Sequence, residues 1–419
     1  MDTVSPQTSS EISEWVSAAA LRLEDKVIAW RRDIHQNPEL SYHETRTAAL
    51  AAKHLRALGY EVTTGVGETG VVGMLKGGKP GPVVALRADM DALPVEERVD
   101  LPFASKVKAP WHGQMTGVMH ACGHDAHVAI LMGVAEILAE YRAELTGTVK
   151  LLFQPNEEGF EGRPSGAQAM IDQGALANPA PSAVFGLHVT SAQASGVIAL
   201  RPGGLMASAD RLRISVHGRQ THASMPWRGV DPVVTSAQII LALHDLPRQL
   251  PGLTINVGQV EGGGALNMVP DLAIARLNVR LPVHGVSAAT VHEHLERVIG
   301  NFNRDGIVVE LHGGITSPPT PPASAGSPTA LLREQIAGCG KELGLELNFR
   351  PTGGTCDGNR LAAAGLACVD SLGARGDGIH SGEEFLWVDS LVERAKLTGL
   401  LLMKLASGEM QVRREDAKT

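Results

Sequence analysis

The sequence predicts an α/β protein into which a second, α+β unit is inserted. Three observations predict it. Short apolar runs at 83–87, 148–153, 183–187 and 366–370 alternate with helix-patterned stretches, and each ends in a polar loop, as buried strands of a layered sheet do. Between them, residues 211–311 read strand-helix-strand-strand-helix-strand, the order of a ferredoxin-like unit. The length, 419 residues, exceeds one ordinary domain. The expected division is 1–207, an inserted domain over 208–316, and a return of the first domain over 317–419. The Pro-rich stretch 317–324 serves as the linker.

Residues 1–14 read as a loose tail and 21–34 as a helix, broken by Pro38. A second helix, 44–58, ends at Gly59. Strands are expected at 60–64, 71–75 and 83–87. Between the first two lies Gly65-Val66-Gly67-Glu68-Thr69-Gly70, a literal GxGxxG. A strand follows it, so no helix N-terminus is there to hold a pyrophosphate, and it reads as a turn. Residues 76–82 read as another turn. A helix follows Asp125, and strands follow at 148–153 and 183–187. In the insert, strands are expected at 211–217, 253–260, 272–281 and 306–311, with helices at 230–243 and 286–302. The chain closes with a helix at 329–343, a loop at 353–359, a strand at 366–370, a loop at 376–385 and a helix at 388–405.

Hydrophobic residues make up 43% and charged residues 20%, a globular composition. The net charge of −8 argues against nucleic-acid and membrane-surface partners. No run is long and apolar enough to span a bilayer, and the first residues lack a signal-peptide pattern. Four cysteines in so long a chain do not make a disulfide framework, so the cytoplasm is the expected compartment.

The densest chemistry is Met119-His120-Ala121-Cys122-Gly123-His124-Asp125-Ala126-His127. Thiolate and neutral imidazole are the best side-chain ligands for zinc and its neighbours, and Gly123 lets the backbone turn tightly between Cys122 and His124. The other candidates lie at strand ends, where open α/β sheets place their sites. Asp89 and Asp91 follow strand 83–87, and two residues apart they share a side if the pleat persists. Glu157 and Glu158 follow strand 148–153; of such a pair, one can ligate an ion while the other takes a proton from water. His188 follows strand 183–187.

Taken together, four segments resemble the peptidase and amidohydrolase family of aminoacylases and glutamate carboxypeptidases. Within it, the resemblance is to the hippurate hydrolase, N-acyl-L-amino-acid amidohydrolase and auxin-conjugate hydrolase subfamily. The segments are Arg32-Asp33-Ile34-His35-Gln36-Asn37-Pro38-Glu39, Arg87-Ala88-Asp89-Met90-Asp91-Ala92-Leu93-Pro94, His120-Ala121-Cys122-Gly123-His124-Asp125 and Phe153-Gln154-Pro155-Asn156-Glu157-Glu158-Gly159. The resemblance implies a mixed-sheet catalytic domain with an inserted ferredoxin-like lid, and a site for one or two divalent ions. Zn2+ is the first expectation, with Mn2+, Co2+ or Ni2+ as alternatives. By position the implied ligands are Cys122, His124, Glu158, His188 and His380, with Cys122 bridging. Glu157 becomes the general base and Asp91 orients a ligand. In the insert, His222 resembles the residue that stabilises the oxyanion, often from a partner subunit. Asn267 and Arg280 resemble the pair that grips the substrate carboxylate, and Gly354 adds a backbone contact. A homodimer through the lid is likewise implied.

Two features depart from the subfamily. Residues 160–165 read as a small insertion after the Glu pair, and the segments 353–359 and 379–381 resemble the glutamate carboxypeptidase branch. The expected activity is metal-dependent hydrolysis of N-acyl or N-aroyl amino acids. A dipeptidase or carboxypeptidase of the same family is the alternative, and a non-catalytic metal-binding protein on that scaffold is a third reading.

Overall fold

The buried runs pair into one six-stranded sheet. The computed structural model describes residues 9–111, 113–159, 163–191, 194, 197–198, 210–281, 287–314, 326–345, 347–349, 357–407 and 410. Two units divide the chain. Met1–Gly203, Ala323–Thr352 and Cys356–Thr419 form the first, and Gly204–Pro322 with Gly353–Thr355 form the second. The expected boundaries at 207/208 and 316/317 lie outside the described residues.

In chain order the first unit has helices α1 (Ser9–Arg22), α2 (Glu24–Gln36) and α3 (Thr45–Ala57), then strands β1 (Glu61–Val66), β2 (Gly70–Lys76) and β3 (Lys79–Asp89). A hairpin, β4 (Lys108–Trp111) and β5 (Gln114–Gly117), precedes α4 (His124–Glu140), β6 (Thr146–Gln154), α5 (Gly166–Asp172), β7 (Ala183–Gly186) and the short β8 (Val197–Ile198). The second unit holds β9 (Asp210–His217), β10 (Thr221–His222), α6 (Pro232–Gln249), β11 (Thr254–Gly262), β12 (Met268–Val269), β13 (Leu272–Arg280), α7 (Ala288–Gly300) and β14 (Val308–His312). The chain then returns with α8 (Pro328–Glu342), β15 (Asn348–Phe349), α9 (Gly358–Ala363), β16 (Ala367–Val369), β17 (Gly376–Asp377), β18 (Phe385–Leu386) and α10 (Asp389–Ala406).

The sheet order in the first unit is β1-β2-β6-β3-β7-β16. The β6, β3, β7 and β16 neighbours are parallel, and β1 and β2 add an antiparallel edge. The expected mixed sheet is therefore present. Helices α4 and α10 pack on β3 and β6. On the other side Ala85, Leu152, Val184 and Cys368 meet Met170 and Leu361 from α5 and α9. With both faces covered, the central strands need no alternation, which is why they read as continuous apolar runs. The C-terminal ends of β3, β6 and β7 are neighbours, so Asp89, the Glu157-Glu158 pair and His188 emerge close together.

Three expectations are corrected. The supposed tail contains α1, whose Ile12, Val16, Ala19 and Ala20 are buried at helical spacing and which packs on α4 and α10. The helix expected over 21–34 is two helices, separated at Leu23. The turn expected over 76–82 shrinks to Gly77-Gly78, because β3 begins at Lys79 and absorbs the prolines in a register shift before Val83. Within the GxGxxG segment the turn is Gly67-Glu68-Thr69; Gly65 and Val66 end β1 and Gly70 begins β2, with Gly65 and Gly67 at positive φ.

In the second unit the four-stranded antiparallel sheet has the order β11-β13-β9-β14. Its inner face, with Leu212, Ile214, Val216, Leu277 and Val279, packs on Ile239 and Leu243 of α6 and Leu295 of α7. The outer face of β13 carries Arg276, Asn278 and Arg280.

Candidate active site

Gly123 sets the geometry of the Cys-Gly-His loop. It precedes α4 with φ of 69°, and a Cβ there would meet the Val189 side chain at 3.0 Å. Both the left-handed backbone and the space call for glycine. Cys122 and His124 are buried on either side of it. The donor atoms of Cys122, His124 and His188 lie within 4.8 Å of one another; so do those of Asp89, His124, Glu157 and His188, and those of Cys122, Glu158 and His380. The structure thus brings together seven of the sequence-derived residues, Asp89, Cys122, His124, Glu157, Glu158, His188 and His380.

Hydrogen bonds fix the imidazole tautomers. His124 Nδ1 donates to the Asp91 carbonyl at 2.7 Å, and His188 Nδ1 donates to the Val189 carbonyl at 3.2 Å. A carbonyl only accepts, so in each neutral ring Nε2 keeps its lone pair. His188 Nε2 lies 3.8 Å from Cys122 Sγ. His124 Nε2 is buried without a hydrogen-bond partner among the described residues. His124 Nε2 also faces Asp89 at 3.7 Å and Glu157 at 3.9 Å, and buried imidazole, thiol and carboxylate donors turned to one point are a set that fits a divalent metal ion.

Charge balance points the same way. Burial and then the charge of Glu158 push the Cys122 thiol well above its usual range. The same two causes push Glu157 well up. Burial also works to raise Glu158, but the hydrogen bond and charge of His380 outweigh it and hold Glu158 at about 2. His380 Nε2 is 3.0 Å from Glu158 Oε1. Asp89, Asp91, Glu157 and Glu158 crowd one buried spot, and positive charge is what such a cluster needs.

Asp91 holds the Glu157-Glu158 loop. Its carboxylate accepts the amides of Glu157 and Glu158, each at 3.0 Å, and the Ser41 hydroxyl at 2.7 Å. Asp89 faces Arg87 at 2.9 Å and His127 Nδ1 at 2.6 Å. Burial raises its pKa, but Arg87, His124 and His127 prevail and keep it well below the carboxylate range. His127 is a site-wall residue that the sequence reading gave no role. Its ring centroid is 5.4 Å from those of His124 and His188. The i,i+3 spacing from His124 on α4 was the available signal. Beside the site, the segments 95–98 and 380–382 line an open cleft of about 740 Å³.

The loop is braced from behind. Asp125, fully buried, pairs with Arg31 at 3.0 Å and with His35 Nδ1 at 2.7 Å, and His35 Nε2 reaches Glu97 at 3.0 Å. Burial lowers the His35 pKa, but the hydrogen bonds to Asp125 and Glu97 outweigh it and raise it to about 9. A raised folded pKa stabilises fully below the unfolded value near 6.5 and stops doing so above 9. Metal-free protein is therefore expected to lose about 3 kcal/mol between pH 6.5 and 9.5 through this group. Urea unfolding across that range checks it. His35→Gln should flatten the slope, and an unchanged slope would refute the assignment.

The second unit places its candidates in two groups. His222 and Met268 pair across the β10–β12 ribbon, and Ala223 N donates to Asn267 O at 2.9 Å, so His222 and Asn267 are neighbours. Ser224 N donates to His222 Nδ1 at 3.1 Å, which leaves the His222 proton on Nε2. Arg280 is elsewhere. It ends β13, eight steps from Leu272, where the ribbon joins the sheet; at the usual strand rise that is roughly 26 Å. Within one chain the structure does not bring Asn267 and Arg280 together. Gly354 lies outside the described residues.

Residues 85–404 match peptidase family M20/M25/M40. The chain is 45% identical over 285 residues to thermostable carboxypeptidase 2 of Saccharolobus solfataricus, covering 67% of this chain and 69% of that one. It is 40% identical over 262 residues to N-acetyl-L-cysteine deacetylase of Bacillus subtilis, covering 62% and 60%. Its structure is similar to that of a dinuclear metal binding peptidase of the M20 family from Bacillus subtilis. The TM-score is 0.70 at 30% identity, over 92% of this chain and 99% of the other.

Proposed function

The chain belongs to peptidase family M20/M25/M40 and is a metal-dependent hydrolase; we propose that it cleaves the amide bond of N-acyl or N-aroyl amino acids, releasing a carboxylic acid and a free amino acid. One observation carries this reading. Thiol, imidazole and carboxylate donors converge beside Glu157 at the C-terminal ends of parallel strands. The N-acetyl-L-cysteine deacetylase relative supports the substrate class.

Cys122, His124, Glu158, His188 and His380 would hold one or two divalent ions, Zn2+ first, since thiolate and imidazole favour it over Mn2+. When bound, the ions polarise the scissile carbonyl and acidify the attacking water. Glu157 takes that water's proton and passes it to the leaving nitrogen. Asp91 keeps Glu157 and Glu158 aimed through their amides. His222, with its proton on Nε2, donates to the tetrahedral oxyanion. Arg280 holds the substrate α-carboxylate through its planar fork, and Asn267 and Gly354 add contacts.

The separation of His222 and Asn267 from Arg280 supports a homodimer through the lid, in which each site draws on both chains. Cys122 and Cys368 are buried thiols outside any disulfide, which supports the cytoplasm as compartment; Cys356 lies outside the described residues. Among those residues no helix is long and apolar enough to cross a membrane.

The carboxypeptidase relative favours a second reading, cleavage of dipeptides or C-terminal residues. One experiment tests both: amine release from N-acetyl, N-benzoyl and dipeptide amides, on metal-stripped enzyme with Zn2+, Mn2+, Co2+ or Ni2+ restored. N-acyl turnover ahead of dipeptide turnover supports the first reading, and the reverse order supports the second. Arg280→Ala should raise KM for N-acyl amino acids roughly tenfold or more and leave their carboxamides unaffected. Equal effects on both would remove Arg280 from carboxylate binding.

A further inference from the structure

Glu44 lies outside every motif assigned a role above, yet it is wholly buried against the base loop. Its Oε1 accepts two backbone amides, Asn156 N and Tyr42 N, each at 2.9 Å. Its Oε2 accepts the Thr69 hydroxyl at 2.6 Å. Asn156 and Tyr42 both adopt left-handed backbone, with φ of 45° and 62°. For residues other than glycine that conformation costs energy and persists where the surroundings enforce it.

Three consecutive amides leave the end of β6 and meet buried carboxylates. Asn156 N goes to Glu44, Glu157 N to Asp91 Oδ1 and Glu158 N to Asp91 Oδ2. The segment after them also returns to Asn156. Gly166 N donates to Asn156 O at 3.0 Å. The Pro164 carbonyl accepts both Asn156 Nδ2 at 2.9 Å and the Tyr42 hydroxyl at 2.7 Å. A Cβ on Gly166 would stand 1.7 Å from the Pro155 carbonyl oxygen, so the loop closes tightly at its neck. The excursion bearing Glu157 leaves and re-enters the fold at one point, and Glu44 fastens that point.

We propose that Glu44 is a positioning residue for the reaction, fixing the Asn156 amide and so the direction in which Glu157 presents its carboxylate. The proposal rests on the reading of Glu157 as the base. Glu44 acts by accepting hydrogen bonds rather than by charge. Burial and then Asp91 raise its pKa to about 7, so near neutrality its charge is partial in any case. Glutamine can keep all three contacts, its oxygen accepting both amides and its nitrogen donating to Thr69 Oγ1. Alanine keeps none, and aspartate is one methylene too short.

The test compares Glu44→Ala, Glu44→Asp and Glu44→Gln with Glu157→Gln in the zinc-loaded enzyme, measuring kcat, KM, metal content and near-UV circular dichroism. Glu44→Ala and Glu44→Asp should lower kcat about 10- to 100-fold with KM within about twofold and metal retained, the scale on which misplacing a reacting group acts. Glu44→Gln should recover most of the loss. If alanine unfolds the loop and costs metal, the aspartate–glutamine contrast carries the test. Glutamine as inactive as aspartate, or aspartate within twofold of wild type, overturns the proposal. Those results leave the base reading intact as long as Glu157→Gln is dead; an active Glu157→Gln would instead remove the base reading itself.

Discussion

Glu157→Gln should lower kcat about 1,000-fold or more, with KM and metal content close to wild type. The substitution keeps shape and size, and the backbone amide that Asp91 holds at 3.0 Å is unchanged. Only the capacity to take a proton is lost. The neighbouring carboxylate should behave differently. Glu158 shares its donor group with Cys122 and His380, whereas Glu157 shares one with Asp89, His124 and His188. With Glu158 proposed as the ligand and Glu157 as the base, Glu158→Gln is expected to lose metal first and activity in proportion. Metal analysis beside steady-state kinetics separates the two. More than a tenth of wild-type kcat in fully loaded Glu157→Gln would mean that another group takes the proton.

What the sequence made legible was mostly local. Apolar runs located the strands, and residues just past them, such as Glu157 and His188, needed only the rule that parallel strands present their C-terminal ends to one place. The Cys122-Gly123-His124 loop was legible because the donors are adjacent and glycine marks the turn. What escaped depends on distant pairing. Glu44 meets Asn156 across 112 positions, and Asp125 meets His35 across 90. No spacing rule connects such residues, and a lone Glu at the start of a helix reads as solvated surface. The helix α1 escaped because Pro6 and the serines and threonines around its start resemble a tail, while half of its apolar stripe is alanine. The separation of Asn267 from Arg280 escaped for the opposite reason. They stand close in the chain, yet most of the interval is extended strand, which carries the chain about 3.3 Å per residue.

That separation leads to the second large effect. Two inactive variants, Glu157→Gln and His222→Ala, should regain activity when mixed under conditions that exchange subunits. An Arg side chain reaches about 7 Å and an imidazole less, far short of the roughly 26 Å of strand between Arg280 and the β10–β12 ribbon. Under the proposed roles, with the substrate carboxylate on Arg280 and His222 as oxyanion donor, that donor would come from another copy of the ribbon. In a mixed dimer, one site then pairs an intact Glu157 with the intact His222 of the other chain, and its twin site carries both defects. Random exchange makes half the dimers mixed, so recovery should approach about a quarter of wild-type activity, from a starting point near zero. If each site used its own chain's His222, the mixed dimer would hold one defect in each site and recovery would be nil. Doubling recovery on covalently linking one variant to the other, toward about half, would exclude contamination by wild-type enzyme.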